Sequence, residues 1–313
     1  MTNYNYESNN AKKIISNAYY NVVKDLWNIN YNNRYIWPNE FKAILAQENP
    51  LFPGNEPKDS KDLIMFLLNR MHNELNLSNL KSNYSSTLND QLNEATMLRL
   101  FLDKFTSEYK SIISNLFFGL LETKTQCQKC KNIIYNFQIY RFINFPLKEV
   151  NQYCFNNGKR NNYNMNNNKN PDIDIYECLE YHRNLNLTRI FCNICRCDCD
   201  AHFGQLLYSA PNYLIIFLDR GKGALYECKV NFPDQLNIYN FVSFKNGNTV
   251  FGLYAVICHI GESSLSDHFV AYCKNKKDKK WYFFNDATVS PCKDPNEDPK
   301  RKPYILFYKA LTL

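Results

Sequence analysis

The sequence predicts an α+β fold, in which helices come first along the chain and strands follow. In the first third, Ile14, Ala18 and Val22 recur with the spacing of one helix face. From about residue 111, short runs rich in β-branched and aromatic residues replace this period, as is typical of strands. These runs cover residues 133–145, 213–218, 252–259, 268–273, 281–285 and 304–308. A chain of 313 residues with 45% hydrophobic side chains can bury a core around such elements.

The helical third divides at residues that favour helix starts. The first apolar stripe spans residues 14–26. Pro38 has the fixed φ that suits a first helical turn, so a second helix is predicted to begin there. Asp59 and Ser60 are both good N-caps and predict the start of a third helix. A fourth, less regular helix is predicted over residues 93–110.

Composition and charge argue against several classes of protein. The 37 basic and 30 acidic residues leave a net charge of +7 that is scattered rather than gathered in a stripe, so we expect no nucleic-acid partner. No apolar run approaches the ~20 residues of a membrane helix. Residues 1–10 are polar and lack the pattern of a secretion signal. We therefore expect an intracellular protein, cytoplasmic or nuclear, with no membrane partner.

An asparagine-rich segment interrupts the strand-like part of the chain. Ten of the twenty residues in 151–170 are asparagine, and few of the others are apolar. Such a composition buries little apolar surface. We therefore predict a disordered insertion between two strands.

Two Cys-x-x-Cys motifs predict a metal site. Cys127 and Cys130 form the first, and Cys192 and Cys195 form the second. Two residues between thiolates allow one tight turn to present both sulfurs to a tetrahedral ion, and two such turns complete a structural zinc site. Twelve cysteines without a secretion signal also favour metal binding over disulfides. The closed Cys₄ set leaves no position for metal catalysis.

The second motif is followed at once by further metal-binding residue types. Cys197, Cys199 and His202 lie within seven positions of Cys195. These residues could replace one of the four ligands or bind a second ion, and the sequence does not decide between the two. Because the spacing of Cys192 and Cys195 mirrors that of the first motif, we assign these two as ligands.

The C-terminal part contains a histidine and an amide at matching ends of two predicted strands. His268 opens the strand 268–273, and Asn285 ends the strand 281–285. An antiparallel pair would bring the two side chains together. This arrangement suits a general base whose ring is oriented by a third residue, as in Cys-His-Asn hydrolases.

The chain resembles the ubiquitin-specific protease family of papain-like thiol proteases. The resemblance lies in Gly-Leu-Tyr-Ala-Val-Ile-Cys-His-Ile-Gly at 252–261, in Asp-His-Phe-Val-Ala-Tyr at 267–272 and in Trp-Tyr-Phe-Phe-Asn-Asp at 281–286. It continues in the paired cysteine motifs and in the segments 211–220 and 303–308. It implies a helical thumb that lacks its first part, a β-rich palm and zinc-bearing fingers.

The family's domain plan implies one catalytic-type domain over residues 1–313. Within it, the thumb would cover residues 11–110, the fingers 111–220 with the insertion, and the palm 221–313. The implied partner is ubiquitin or a ubiquitinated protein, and the implied cofactor is a structural Zn²⁺.

The resemblance also implies roles for individual residues. His268 matches the catalytic histidine, Asn285 the residue that orients it, and Asp286 a residue that supports the site. The ubiquitin-contacting positions of the family correspond to Asp59, Asp62, His259 and Gly261. Two neighbours depart from the family pattern, since Asp267 replaces a glycine and Phe269 a tyrosine.

The family's cysteine box, Gly-Asn-Thr-Cys, has no counterpart in this chain. The first cysteine is Cys127, and no Gly-Asn-x-Cys occurs anywhere. We therefore expect the nucleophile upstream of this chain and expect the chain alone to be inactive. The alternative is a catalytically inactive pseudoprotease that binds ubiquitin. A zinc-stabilised nucleic-acid binder is the least favoured hypothesis.

Overall fold

The computed structural model describes residues 13–28, 36–54, 58–78, 92–159, 170–221, 226–260, 268–297 and 302–311. Within these ranges the α-helices are α1 Ile14–Leu26, α2 Asn39–Glu48, α3 Ser60–Leu75, α4 Glu94–Glu108, α5 Ile112–Phe117, α6 Leu147–Asn156 and α7 Ile175–His182. No helix in the described part of the chain is long and apolar enough to cross a membrane.

Strands dominate the chain after residue 118. They are β1 Gly119–Cys127, β2 Ile133–Tyr140, β3 Ile143–Pro146, β4 Ile173–Asp174, β5 Asn186–Cys192, β6 Cys197–Ser209, β7 Tyr213–Asp219, β8 Val230–Asn231, β9 Gln235–Asn237, β10 Val250–Ile260, β11 His268–Lys274, β12 Trp281–Asn285, β13 Thr288–Cys292 and β14 Lys302–Ala310. The fold is therefore α+β, as the sequence predicts.

The residues divide into two compact units. The first takes its described residues from the ranges 1–84 and 103–115, and it consists of packed helices. Its core gathers around the buried side chains of Ile15, Leu45 and Phe52. The buried Glu74 carboxylate accepts hydrogen bonds from the backbone N–H groups of Ile15 and Ser16, and so satisfies donors at the start of α1.

The second unit takes its described residues from 85–102 and 116–313 and contains the sheets. One sheet has four strands in the order β2-β1-β6-β5, and a larger one follows the order β13-β12-β11-β10-β14-β7-β3 with β9 beside β10. All these pairs are antiparallel except β3 with β7. Buried residues of both sheets, such as Leu121 and Leu207 of the small sheet and Ile216 and Val256 of the large sheet, share one core.

Most of the predicted elements are confirmed, and the exceptions have a common cause. The run 133–145 is two strands rather than one, because the chain leaves the small sheet after Tyr140 and enters the large sheet at Ile143. Two helices, α6 and α7, lie among the strands. Long-range sheet pairing and burial, which short-range periodicity does not report, decide these cases.

The prediction of a disordered insertion over 151–170 is wrong for its first part. Helix α6 extends to Asn156, with Val150 and Cys154 fully buried. Those apolar side chains lie one helical turn apart and face the core, which outweighs the asparagines around them. Residues 160–169 lie outside the described part of the chain.

The predicted boundaries of thumb, fingers and palm stay a prediction. Strands β3 and β7 fall within the segment 111–220 assigned to the fingers, yet both pair in the large sheet. Of the other strands in that segment, β1, β2, β5 and β6 form the four-stranded sheet, and β4 pairs with β8.

Candidate functional site

The predicted histidine–amide pair is in contact. His268 Nε2 lies 2.7 Å from Asn285 Oδ1. Because an amide oxygen can only accept, Nε2 carries the hydrogen and donates it to Asn285. The other ring nitrogen, Nδ1, is then the basic one. The amide thus holds the ring in the tautomer that leaves Nδ1 available to take a proton.

Strand register explains why these two side chains meet. Tyr272 of β11 and Phe283 of β12 are directly opposite, with ring centroids 4.8 Å apart. Side chains two residues apart on a strand share a face, so His268 lies on the face of Tyr272 and Asn285 on that of Phe283. The buried rings of Tyr272 and Trp281 anchor this face. The pair therefore stands where the packed face of the sheet ends.

Asp286 lies beside the pair but contacts it weakly. Its Oδ2 is 3.9 Å from His268 Nε2, and its side chain is 81% exposed. The residue follows Asn285 in the two-residue turn before Thr288 and adopts a φ of 49°. Aspartate tolerates this left-handed conformation better than most residues. Asp286 thus shapes the turn that presents Asn285 and adds negative charge in solvent.

The four predicted metal ligands form a cluster. The sulfur atoms of Cys127, Cys130, Cys192 and Cys195 all lie within 4.8 Å of one another. Cys127 ends β1 and Cys192 ends β5. The central strand β6 pairs with both, so the sheet order β1-β6-β5 brings the two motifs to the same end of the sheet.

Both cysteine motifs have the same turn. The backbone N–H of Lys131 donates to the carbonyl of Cys127 at 2.9 Å, and that of Arg196 donates to the carbonyl of Cys192 at 2.7 Å. Lys131 has a φ of 61° and Arg196 a φ of 53°. The sequence reasoning missed these two turn-closing residues. Their shared position, directly after the second cysteine, was the available signal.

The cluster fits a thiophilic ion such as zinc. Sulfurs that share one tetrahedral zinc lie about 3.8 Å apart, given a Zn–S bond of about 2.3 Å. Cys130 Sγ and Cys192 Sγ are 3.7 Å apart. Hydrogen bonds from the backbone, above all from Cys130, lower the pKa of the Cys127 thiol to about 6, whereas desolvation raises the pKa of Cys195. A bound cation would favour the ionised form of both.

Comparisons with known proteins identify the family of this chain. The model of the family described as ubiquitin carboxyl-terminal hydrolase matches residues 1–308. The chain belongs to this family. Human ubiquitin carboxyl-terminal hydrolase 2 is 24% identical over 97% of this chain and 48% of its own length. Ubiquitin carboxyl-terminal hydrolase 13 of Saccharomyces cerevisiae is 25% identical over 93% of this chain and 37% of its own.

Solved structures show the same fold. The SAGA DUB module Ubp8/Sgf11/Sus1/Sgf73 bound to monoubiquitin matches with a TM-score of 0.68 and 20% identity, over 96% of this chain and 59% of that one. The same module bound to ubiquitin aldehyde matches with a TM-score of 0.67, over 96% and 60%. The chain spans about half or less of the length of the curated relatives named here. The ubiquitin-specific protease fold predicted from the sequence is thus confirmed.

Two of the positions predicted to contact ubiquitin are His259 and Gly261. His259 lies in β10 and is only 4% exposed, with its ring packed edge-on against Phe269. The strand that carries it pairs with β11 on one side and β14 on the other. The contact of His259 with ubiquitin stays a prediction. Gly261 lies outside the described residues.

The two predicted acidic positions belong to the helical unit. Asp59 is the N-cap of α3, and its Oδ1 accepts a hydrogen bond of 2.8 Å from the backbone N–H of Lys61. Asp62 lies in the first turn of α3 and is exposed. Both carboxylates stabilise the start of the helix through its dipole. Asp62 has its side chain directed to solvent and is available to a basic partner.

Cys197, Cys199 and His202, which follow the second cysteine motif, differ in their distance from the cysteine cluster. Cys199 is buried against the cysteine cluster, with Cys197 next to it. His202 lies farther along β6, opposite Gln126 and Leu187, and is not part of the four-sulfur group. Of these three residues, the two cysteines lie beside the four-cysteine cluster and the histidine does not.

Proposed function

We propose that this chain carries the acid–base and ubiquitin-recognition parts of a thiol-dependent deubiquitinase. The reaction is hydrolysis of the bond that follows the C-terminal glycine of ubiquitin. The observation that carries the proposal is the 2.7 Å contact between His268 Nε2 and Asn285 Oδ1, in a chain of the ubiquitin carboxyl-terminal hydrolase family. The ubiquitin bound in both related structures supports the choice of substrate.

His268 moves the protons in this mechanism. Its Nδ1 takes the proton of a cysteine thiol, and the thiolate attacks the carbonyl carbon of the glycine. His268 then donates this proton to the amine nitrogen, and the bond between that nitrogen and the carbonyl carbon breaks. The acyl group of ubiquitin stays bound to the cysteine sulfur. His268 next takes a proton from water, whose oxygen attacks the acyl carbon, and the acyl–sulfur bond breaks. His268 returns that proton to the departing sulfur, which restores the thiol and frees the C-terminal carboxyl group of ubiquitin. Asn285 accepts from Nε2 throughout and stabilises the protonated ring.

The attacking thiol comes, in this proposal, from a cysteine that is not among the twelve of this chain. All twelve lie in the described residues, and the polar contacts of His268 there are with Asn285 and Asp286. Four cysteines form the metal cluster, and Cys154, Cys178 and Cys258 are buried in the core. We propose that the nucleophile resides in an upstream segment of the gene product, as the family's cysteine box does.

Zinc has a structural role in this proposal. Cys127, Cys130, Cys192 and Cys195 would supply all four ligands, which leaves no coordination position for substrate or water. The ion would fix the ends of β1 and β5 on either side of β6. The four-stranded sheet could then present a firm surface to the folded body of ubiquitin.

The test is the hydrolysis of a fluorogenic ubiquitin C-terminal amide by the full gene product. We expect His268→Ala to lower kcat/KM by about 10³-fold or more, because the general base is lost, while ubiquitin affinity is retained. Lys274→Ala, at the opposite end of the same strand, is the matched control and should keep the activity. Undiminished turnover by His268→Ala would refute the assignment.

A ubiquitin-binding protein without hydrolysis is the second candidate. It is favoured by the lack of a cysteine thiol among the contacts of His268 in the described residues. Under this alternative, the full gene product would bind ubiquitin but would neither hydrolyse the amide nor react with a ubiquitin probe that traps active-site thiols. Trapping of an upstream cysteine by that probe would exclude it.

A further inference from the structure

The hairpin turn that joins β11 to β12 presents a dense group of positive charges. Four exposed lysines lie within five consecutive residues, namely Lys276, Lys277, Lys279 and Lys280. A fifth exposed lysine, Lys293, follows β13. Because Trp281 and Cys292 are paired across β12 and β13, the residues one step farther along, Lys280 and Lys293, also stand opposite each other. We call these five residues the lysine tip.

Hydrogen bonds within the turn hold the lysines in fixed places. The backbone N–H of Lys279 donates to the carbonyl of Asn275 at 3.0 Å, and that of Asn275 donates to the carbonyl of Lys280 at 2.9 Å. The Asn275 side chain accepts from the backbone N–H of Lys277 at 2.8 Å. Lys279 has a φ of 60°, a conformation that glycine or asparagine adopts with less strain. A lysine at this strained position points to a use for its charge.

The carboxylates of this region are already engaged. Asp278, inside the turn, accepts hydrogen bonds from the backbone N–H of Lys280 at 3.0 Å and from the Tyr282 hydroxyl at 2.7 Å. Asp234 pairs with Lys274, below the turn, at 3.1 Å. Within the part of the chain that the structure describes, none of the five tip lysines forms an ion pair with an acidic side chain. The five ammonium groups repel one another, so a negatively charged partner would be stabilising.

The chemistry around the tip favours an acidic protein segment over a nucleic acid or a membrane. Arginine, the residue type best suited to nucleic-acid recognition, does not occur between residues 274 and 281. Trp281 is only 6% exposed and has the Lys274 ammonium over its ring, so it is not available to stack on a base. The exposed apolar residues of β12 and β13, Phe284 and Val289, pair near the opposite turn and cannot anchor the tip in a bilayer.

The lysine tip is remote from the candidate catalytic pair. His268 begins β11 and Lys274 ends it. Six steps of about 3.3 Å along a strand separate the two positions by about 20 Å. A segment bound at the tip would therefore leave the space beside His268 free for a substrate.

We propose that the lysine tip is a docking site for a protein segment rich in aspartate and glutamate. The partner that carries this segment is the protein to which ubiquitin is joined. That choice of partner rests on the proposed deubiquitinase function, whereas binding of the acidic segment does not. Docking raises the local concentration of the ubiquitin conjugate, so it lowers KM for acidic substrates and leaves kcat unchanged.

Binding of a fluorescein-labelled polyglutamate peptide to this chain, measured by fluorescence anisotropy, tests the docking site. The variant Lys276→Gln/Lys277→Gln/Lys279→Asn removes three charges from the tip, and asparagine tolerates the positive φ of residue 279. We expect it to raise Kd by about 10-fold, because each exposed ion pair contributes a modest amount. Added salt should weaken binding to the wild type more than binding to this variant.

A matched control separates clustering from net charge. Lys24→Gln/Lys148→Gln/Lys229→Gln removes the same number of charges from exposed lysines in α1, in α6 and before β8. It should leave Kd nearly unchanged. Equal losses in the tip variant and this control would overturn the docking site, as would a lack of polyglutamate binding at low salt.

The partner class has its own arms. Vesicles that contain phosphatidylserine and a single-stranded RNA of matched charge are offered to the same proteins. Binding of either one that exceeds binding of polyglutamate and is lost in the tip variant would overturn the acidic-protein assignment. If circular dichroism shows that the tip variant is unfolded, Lys280→Gln/Lys293→Gln replaces it, because these residues lie outside the turn's side-chain hydrogen bonds.

Substrate choice is tested in the full gene product with ubiquitin joined to an acidic segment or to a glutamine segment of equal length. We expect a lower KM for the acidic fusion in the wild type, and equal KM values for the two fusions in the tip variant at unchanged kcat. Equal KM values in the wild type would overturn the choice of partner. Absence of all hydrolysis would instead refute the proposed function, and the anisotropy measurement would still decide the docking site.

Discussion

The cysteine cluster and the His268–Asn285 pair both lie at hairpin turns, but they are assembled in different ways. In the cluster, each half is a local turn of five residues that ends in a left-handed residue, Lys131 or Arg196. In the pair, the two side chains come from different strands and meet only through the β11–β12 register. The cysteine cluster thus forms when two local turns come together, whereas the His268–Asn285 contact depends on the alignment of two whole strands.

The two regions also differ in burial, which separates their functions. Cys127 and Cys192 are each only 2% exposed. The His268 side chain is 40% exposed. Loss of a buried ligand should therefore damage the fold, while loss of the half-exposed histidine should damage chemistry and leave the fold intact.

The largest effect is expected from Cys192→Ser. It removes one of the two buried ligands, and structural zinc contributes on the order of 10 kcal/mol to the folding of small zinc domains. We expect loss of bound metal and fast hydrogen exchange across β5 and β6, with β10 to β12 still protected. Cys273→Ser, a thiol of the large sheet, is the control. Unchanged zinc content in Cys192→Ser would contradict the ligand set.

The next effect is expected from Asn285→Ala in the full gene product. A hydrogen bond to a charged group contributes about 1.5–3 kcal/mol, which corresponds to about a 10- to 150-fold loss of kcat/KM. Asp286→Asn keeps a residue that tolerates positive φ and removes a carboxylate that is 3.9 Å from the ring. It should lower kcat/KM much less. Equal losses in both variants would show that charge, rather than ring orientation, is the dominant contribution.

Substitutions of Asp59 test how much its N-cap hydrogen bond stabilises the helical unit. Asp59→Ala removes the N-cap hydrogen bond to Lys61, which should lower the free energy of unfolding by about 1 kcal/mol. Asp59→Asn preserves the cap and removes the charge, so it should unfold nearly as the wild type does in urea. If Asp59→Asn and Asp62→Asn each weaken ubiquitin binding at unchanged stability, the charges serve recognition. Unchanged affinity in both would reject that role.

The last prediction concerns the pH dependence of stability. Burial lowers the pKa of His182 from 6.5 to about 4, and its ring packs edge-on against Phe145 of β3. Between these pH values the unfolded chain binds more protons than the folded one, so stability falls as pH drops from 6.5 towards 4. His182→Phe should flatten this part of the unfolding profile. A profile as steep as that of the wild type would show that other groups cause it.

Low pH should affect the two regions through different groups, because thiolates in the cysteine cluster take up protons and release a bound metal ion. His182→Phe should leave the pH of zinc release unchanged. A shift in that pH would mean that the large sheet and the cluster are coupled in stability.

Several parts of the molecule could be predicted from short stretches of sequence. The spacing of Cys127 and Cys130 determines a turn, and Asp59 before Ser60 determines a helix start. The alternation along 268–273 and 281–285 determines which side chains share a face. Each of these depends on backbone geometry within a few residues, which the residue types and their spacing predict.

Other features depend on which distant segments pair. The sequence pattern around His259 does not show that its side chain is 4% exposed and packs against Phe269 of the neighbouring strand β11. The asparagine-rich stretch looked unstructured, but the core accepts Val150 and Cys154 on a helix. Local composition does not report the partners that bury a side chain.

The sequence by itself therefore determined the α+β class, the four cysteines of the cluster, the histidine–amide pair and the resemblance to the ubiquitin-specific protease family. Only the tertiary structure decided that Cys199 packs against the cysteine cluster, that His259 is buried and that β3 and β7 belong to the large sheet. The reason is physical. Turn spacing and strand alternation are set by neighbouring backbone angles, whereas burial and thiol contacts are set by strand order across the whole chain.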